Sequence, residues 1–400
     1  MHEEVVPLGG TNDWRKRLIS MPIPNSILRN STLKQALDSL IHKGRIDRTL
    51  GVELYFETDI NALFSLAHMV KYARFGDKIF FNHNLHVNTT NICVLACRFC
   101  AFRKGFRHED AYELSVEEYL HRIDPFSTDI DEVHSVGGLH PTWNIEHYKN
   151  LYSGAKQKFP HIHIKSLTAV EIKHLADRSN LSVCDVLVEL RNSGLDSIPG
   201  GGAEILVDSV RDRICRGKES TQEYLDIHRS AHHLGIPSNC TMLFGTVESI
   251  EDRITHLELL RELQDETNGF QCFVPYPFLP DFTRLPEAQL ATSSEILRMI
   301  AISRLMLDNI PHIKAYRMNI GNEVTQLALL AGADDIDGTV GHEEIMHSAG
   351  STAPLDSGVQ ELVKLIHESN QIPIKRNTIY SQFFVENCEK QESNILPVVA

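Results

Sequence analysis

Short apolar runs alternating with longer stretches of helical spacing set the rhythm of this chain from about residue 84 onward. The runs that read as strands are 86–91, 132–137, 161–167, 195–198, 238–244, 270–275 and 313–320, with a weaker one at 334–338. The stretches between them read as helices. Val183, Val186, Leu187 and Leu190 fall at i, i+3, i+4 and i+7. Ser182 and Asp185 cap that helix and Gly194 stops it. Ser249 and Asp252 open another, with Ile250, Ile254, Leu257 and Leu260 on one face and Gly269 beyond its end. Before residue 80 the spacing is helical as well, as in Leu33, Ala36, Leu37 and Leu40 or Ile60, Leu63, Leu66 and Ala67.

Strands alternating with helices imply parallel pairing through helical crossovers. A doubly wound sheet satisfies that rule. About eight units across some 260 residues match better the size of a (β/α)8 TIM-type barrel. The expected organisation is an N-terminal helical segment over 1–80 packed on the barrel, a barrel over 81–345, and a C-terminal helical extension and tail over 346–400. Function then belongs on the loops that follow the strands.

Charge narrows the classes. Against 39 Lys+Arg the 400 residues carry 53 Asp+Glu, a formal net charge of −14. That balance lacks the electrostatic footprint of a general nucleic-acid binder or of a polybasic membrane binder. No apolar run approaches the roughly 18 residues of a membrane span, and residues 1–7 are acidic without a signal-peptide core. The expectation is a cytoplasmic globular protein.

Eight cysteines remain to be explained. Cys184, Cys215, Cys240, Cys272 and Cys388 are scattered singly and suit buried thiols in a reducing compartment. Cys93, Cys97 and Cys100 crowd one loop directly after the first expected barrel strand. Three thiolates satisfy three irons of a 4Fe–4S cubane and leave the fourth open for a ligand. Zinc is the alternative, with His108 or His86 as a fourth ligand, although no second C-x-x-C pair exists to support it. Among the other histidines, His232-His233 and the pair His161 and His163 read as solvated or core residues. Glycines punctuate two strand ends: Gly137-Gly138 after the second and Gly200-Gly201-Gly202 after the fourth. Such positions let a ligand approach the backbone closely. Glu204, just beyond, can accept from a ribose hydroxyl or an ammonium group.

The spacing C-x3-C-x2-C with Phe99 before the third cysteine resembles the signature of the radical S-adenosylmethionine (SAM) superfamily. The resemblance implies that Cys93, Cys97 and Cys100 hold a 4Fe–4S cluster whose open iron binds SAM. It places Phe99 near the adenine, Gly137 and Gly138 at the methionine amino group, and Gly201, Gly202 and Glu204 among the cofactor-binding residues. Over about 30–380 the chain looks like the futalosine-pathway branch, which serves menaquinone biosynthesis. Residues 164–172, 304–316 and 337–340, with Ile214-Cys215 and Ser238-Asn239, resemble its aminofutalosine synthase group more than its dehypoxanthine futalosine cyclases. The implied reaction adds a 5′-deoxyadenosyl radical to 3-[(1-carboxyvinyl)oxy]benzoate and yields 6-amino-6-deoxyfutalosine. A cyclase, a deazaflavin-pathway relative and a non-catalytic iron–sulfur or zinc scaffold remain as alternatives. The pattern departs from the family at Leu279 and Phe282, and where Arg317, Met318 and Asn319 follow Tyr316.

A dicarboxylate substrate asks for cations. Lys165 on the third expected strand and Arg317 on the seventh are the candidates, with His140 next and Glu171 as a residue that could hold substrate or SAM. The resemblance also implies a low-potential electron donor of flavodoxin or ferredoxin type. A homodimer is left open.

Overall fold

Helices Trp14–Ser20, Asn25–Arg29, Ser31–Asp38, Arg48–Tyr55 and Ile60–Phe75 lead into the barrel. Their apolar stripes are the ones the spacing picks out: Leu33, Ala36 and Leu37 are buried in one helix, and Leu63, Leu66 and Ala67 in another. The Asp59 carboxylate accepts from the Ala62 N–H (3.1 Å) at the start of Ile60–Phe75, and Gly76, with φ +65, ends that helix. The computed structural model describes residues 6–355 and 357–387. The acidic leading residues 1–5, most of the expected tail and Cys388 lie outside the described residues.

The strands are β1 Lys78–Phe81, β2 Asn84–His86, β3 Glu132–Ser135, β4 His163–Ser166, β5 Ser238–Phe244, β6 Phe270–Pro277, β7 His312–Ala315, β8 Asp335–Ile336, β9 Ile372–Arg376 and β10 Phe383–Val385. Every pairing among β1 to β9 is parallel, and β10 alone runs antiparallel, on β9. One sheet runs β10-β9-β1-β8-β7-β6-β5 and the other β2-β3-β4. Two junctions join them into a ring. Parallel bridges Lys165↔Ser197 and Ile198↔Ser238 carry β4 to β5 through residues 195–198. On the other side, β1 and β2 form one stretch: Phe80 pairs with Asp335, Leu85 pairs with Val133, and the His86 N–H donates to Val340 O (2.8 Å). Counting β1 with β2 as one position and 195–198 as another gives the eight-membered parallel ring of a (β/α)8 barrel.

Several expected boundaries move. The first barrel strand starts at Lys78, ahead of the expected division at 80/81, and leaves the ladder after His86 instead of spanning 86–91. Beyond it Thr90 donates to Tyr112 O (2.7 Å) and Asn91 to Asp110 O (2.8 Å), so polar side chains bind the loop that a strand would otherwise occupy. The expected fourth strand is reduced to two bridges. The expected strand 313–320 stops at Ala315 because the Asp337 carboxylate accepts from the Arg317 N–H (2.9 Å) and a helix, Arg317–Leu330, begins there. The C-terminal region is not helical throughout. After helix Val359–Glu368, β9 adds in parallel to β1, and its Arg376 grips Asp335 of β8 through Nε (2.7 Å) and Nη2 (3.1 Å).

Candidate active site

A cavity of about 270 Å³ opens at the C-terminal ends of the parallel strands, where the strand-following loops converge. Cys93, Cys97 and Cys100 stand together on its wall. Backbone bonds shape their loop: the Cys93 N–H donates to Lys104 O (3.1 Å), Val94 to Leu139 O (3.0 Å) and Arg98 to Ile214 O (2.8 Å). From outside, Arg284 donates to Ala96 O (2.9 Å) and Cys97 O (3.3 Å), and Arg98 holds Glu287 with two bonds (2.5 and 2.8 Å). Burial pushes the Cys97 thiol up to about 12 and also raises Cys100, so without a metal both stay protonated.

The donor set fits a cubane better than a single ion. Among the described residues no three His, Cys, Asp or Glu side chains converge on one metal position. His108 accepts from the Asp110 N–H (3.1 Å) and lies off the wall, while His86 stacks on His134 with ring centroids 4.4 Å apart. Three thiols spread along one loop against an open cavity are what a cluster with one uncommitted iron requires.

Gly137 and Gly138 are dictated by that loop. A Cβ on Gly138 would stand 2.2 Å from Ile92 O, and one on Gly137 would stand 2.7 Å from Thr89 Oγ1. The second strand can therefore end against the cysteine loop only without side chains there. Across the cavity Gly200 has φ +83, and a Cβ there would meet Asn239 O at 2.0 Å; Gly202 has φ +98. Gly201, Gly202, Glu204 and Phe99 all reach the wall.

Lys218 is a residue that pattern reading missed. Its ammonium pairs with Glu204, donates to Gly202 O (3.2 Å) and lies 5.7 Å from the Phe99 ring centroid. Burial opposes its charge, but Glu204 and Glu219 outweigh burial and raise its pKa. The one sequence signal was a charged doublet, Lys218-Glu219, immediately before the Ser220 helix cap.

Glu171 joins capping and cavity. Its carboxylate accepts from the Thr168 N–H (2.7 Å) and Oγ1 (2.7 Å) and from the Gly137 N–H (2.9 Å). Burial pushes its pKa from 4.5 up to about 7. A carboxyl raised by folding holds its proton more tightly in the folded chain. Its contribution to stability is therefore full below about 4.5 and is lost as pH rises through about 7. Denaturant titrations of the parent and of Glu171→Gln are expected to diverge over that window, the parent losing more stability as pH rises. Parallel curves would refute the assignment.

None of the three expected cations reaches the cavity. Lys165 points into the barrel but below the cavity, where it is bound to Glu132 (2.9 Å). Arg317 is in a helix's first turn and faces away, 3.7 Å from Asp337 Oδ2 and 3.3 Å from Ser357 Oγ. His140 sits behind the glycine pair, 2.5 Å from Glu113 and stacked on Trp143 at 4.5 Å. Leu279 does line the cavity, whereas Phe282 is 87 % exposed on the surface. Part of the wall is aromatic: Tyr276 and Tyr316 meet edge to face at 5.0 Å, and burial pushes His86 to about 3 and His134 to about 4. Met346 and Ala349, from the expected C-terminal extension, also line it, held there by the Glu343 carboxylate accepting from the Ile345 and Met346 N–H groups (2.8 and 2.9 Å).

The chain matches the radical SAM superfamily over residues 87–260 and the CofH/MqnC C-terminal region over residues 267–388. It is 38 % identical to an aminodeoxyfutalosine synthase of Thermus thermophilus, across 89 % of this chain and 97 % of that relative. It is 36 % identical to a 5-amino-6-(D-ribitylamino)uracil--L-tyrosine 4-hydroxyphenyl transferase of Methanothermobacter thermautotrophicus, across 88 % and 96 %. With a cyclic dehypoxanthine futalosine synthase of Streptomyces coelicolor the identity is 35 %, across 89 % and 90 %. Among solved structures, methylornithine synthase shares the fold, with a TM-score of 0.68 at 19 % identity over 84 % of this chain and 96 % of that one. With so much of each chain shared at such identity, the protein belongs to the radical SAM enzymes that carry the CofH/MqnC C-terminal region.

Proposed function

We propose that this enzyme is an aminodeoxyfutalosine synthase, joining the 5′-deoxyadenosyl group of SAM to 3-[(1-carboxyvinyl)oxy]benzoate, with methionine as the leaving group and loss of one acceptor carboxyl group, to make 6-amino-6-deoxyfutalosine. The observation that carries the proposal is one shared cavity: the three thiols, the Glu204–Lys218 pair and an aromatic compartment around Tyr276 and Tyr316 face the same space. SAM and an aromatic acceptor held there would be in direct contact, as a transfer of the whole deoxyadenosyl group requires. The aminodeoxyfutalosine synthase of Thermus thermophilus, at 38 % identity, exceeds the 36 % of the 4-hydroxyphenyl transferase and the 35 % of the cyclic dehypoxanthine futalosine synthase, which agrees with the resemblance at 164–172 and 337–340.

When bound, the 4Fe–4S cluster supplies the electron that cleaves SAM to a 5′-deoxyadenosyl radical. The protein's own side chains hold and shield. Cys93, Cys97 and Cys100 are the cluster ligands, and Glu204 can accept from the ribose or the methionine ammonium. Leu95, Leu139, Leu243 and Phe278 exclude water from the wall, which protects a reactive primary carbon radical. The edge-to-face tyrosines offer a surface on which a benzoate ring packs. Glu171 and Glu343 are bound to backbone N–H groups, and an addition of this kind needs no paired general acid and base. A flavodoxin- or ferredoxin-type protein is the proposed electron source. A reducing cytoplasm suits the free thiols, seven among the described residues, and no helix among those residues is long and apolar enough to cross a membrane.

The test is an anaerobic incubation of reconstituted enzyme with dithionite, SAM and the enol-ether benzoate, read by mass spectrometry. An adenosine-containing adduct is expected. Release of free 5′-deoxyadenosine with the benzoate untouched would sink the synthase assignment and favour a hydrogen-abstracting relative such as the cyclase.

A further inference from the structure

The displacement of Lys165, Arg317 and His140 from the cavity leaves its ligands' carboxylates without their expected partners. Two cationic side chains line the wall among the described residues, Lys218 and Arg103, since His86 and His134 are held neutral by burial. Lys218 is already paired with Glu204. Arg103, just past Cys100, forms no ion pair among the described residues, and its Nε is buried without a hydrogen-bond partner.

We propose that Arg103 is the carboxylate-binding residue of this cavity, a role that rests on the SAM-dependent reading above. A guanidinium on a largely apolar wall without a counter-charge is costly, and a bound carboxylate relieves that cost. The planar fork of arginine takes a carboxylate through two parallel bonds, which fixes orientation as well as position. The apolar wall strengthens the attraction by excluding water. Arg103 is carried by the cysteine loop itself, so a carboxylate held there is registered directly against the cluster ligands. The carboxylate has two sources, the methionine end of SAM and the acceptor.

The experiment uses anaerobically reconstituted holoenzyme carrying Arg103→Gln or Arg103→Lys, with iron content and the electron paramagnetic resonance spectrum of the reduced cluster recorded first. SAM is then titrated against its effect on that spectrum, and acceptor binding is measured by calorimetry, which needs no turnover. If the acceptor supplies the carboxylate, Arg103→Gln weakens acceptor binding by about tenfold to a hundredfold and leaves the SAM titration in place. If SAM supplies it, the SAM titration weakens by a similar factor and acceptor affinity at saturating SAM holds. Arg103→Lys recovers part of either loss. Unchanged affinity for both ligands overturns the proposal. Should Arg103→Gln fail to take up iron, the unaltered enzyme decides: acceptor monoamides and the carboxamide of SAM replace the acids one at a time. Amides that all bind as tightly as the acids overturn the proposal, and a loss with one of them supports it. Failure to form the adenosine adduct counts against the synthase reading alone, because neither binding measurement depends on it.

Discussion

Replacing Cys97 with alanine is expected to take the reconstituted protein from about four irons per chain to background and to abolish dithionite-driven release of 5′-deoxyadenosine. On the proposed ligand assignment each of the three thiols holds a separate iron, so losing one leaves the cubane two protein ligands short of four. The loop itself should persist, because Arg284 and Arg98 secure it through backbone carbonyls and Glu287, not through the Cys97 sulfur. Circular dichroism should therefore stay close to that of the parent while iron disappears. Cys240→Ala is the matched control: this thiol is fully buried on β5, 3.7 Å from Cys272 O, and off the cavity wall, so iron content should hold. A parent protein that takes up zinc and no iron would refute the cluster assignment outright.

Lys165→Met is expected to lower stability by about 3–5 kcal/mol, because it leaves the Glu132 carboxylate buried without its counter-charge. Burial opposes that carboxylate, yet the Lys165 ammonium holds its pKa well below the usual range. Asn82 donates to the same oxygen (3.1 Å), which cannot compensate for a lost ammonium group. The double variant Glu132→Leu with Lys165→Met should recover most of the loss, since removing both charges leaves no orphan. Chemical denaturation of the three variants measures this directly. A substrate-binding lysine would behave in the opposite way, raising the acceptor KM while leaving the denaturation midpoint near that of the parent.

Local chemistry was the part most open to reading from the chain. The cysteine spacing needs only eight residues of one loop, and the structure places all three thiols on one wall. The caps are equally local: the Ser182 hydroxyl accepts from the Asp185 N–H (3.1 Å), and Ser249 and Asp252 form a reciprocal pair. The charged residues were not open in this way. In a parallel barrel both faces of a strand are covered, one by the lumen and the other by helices, so burial alone does not say which side chain meets a ligand. Lys165 illustrates the point. Its burial was compatible with either substrate or partner, and only the register of β3 against β4, Glu132 beside His163 and His134 beside Lys165, brings Glu132 within reach of it.

Sequence by itself was enough for the barrel class, the cluster chemistry and the branch of the superfamily, because periodicity, thiol spacing and family stretches are properties of contiguous residues. Tertiary structure alone decided which charges serve the cavity. Asp337 turns Arg317 away, Glu113 holds His140 behind the glycines, Glu132 claims Lys165, and segment 343–349 returns to complete the wall. Each of those outcomes joins groups far apart along the chain, and an ion's partner in a low-dielectric interior is set by distance in space, which no local pattern encodes.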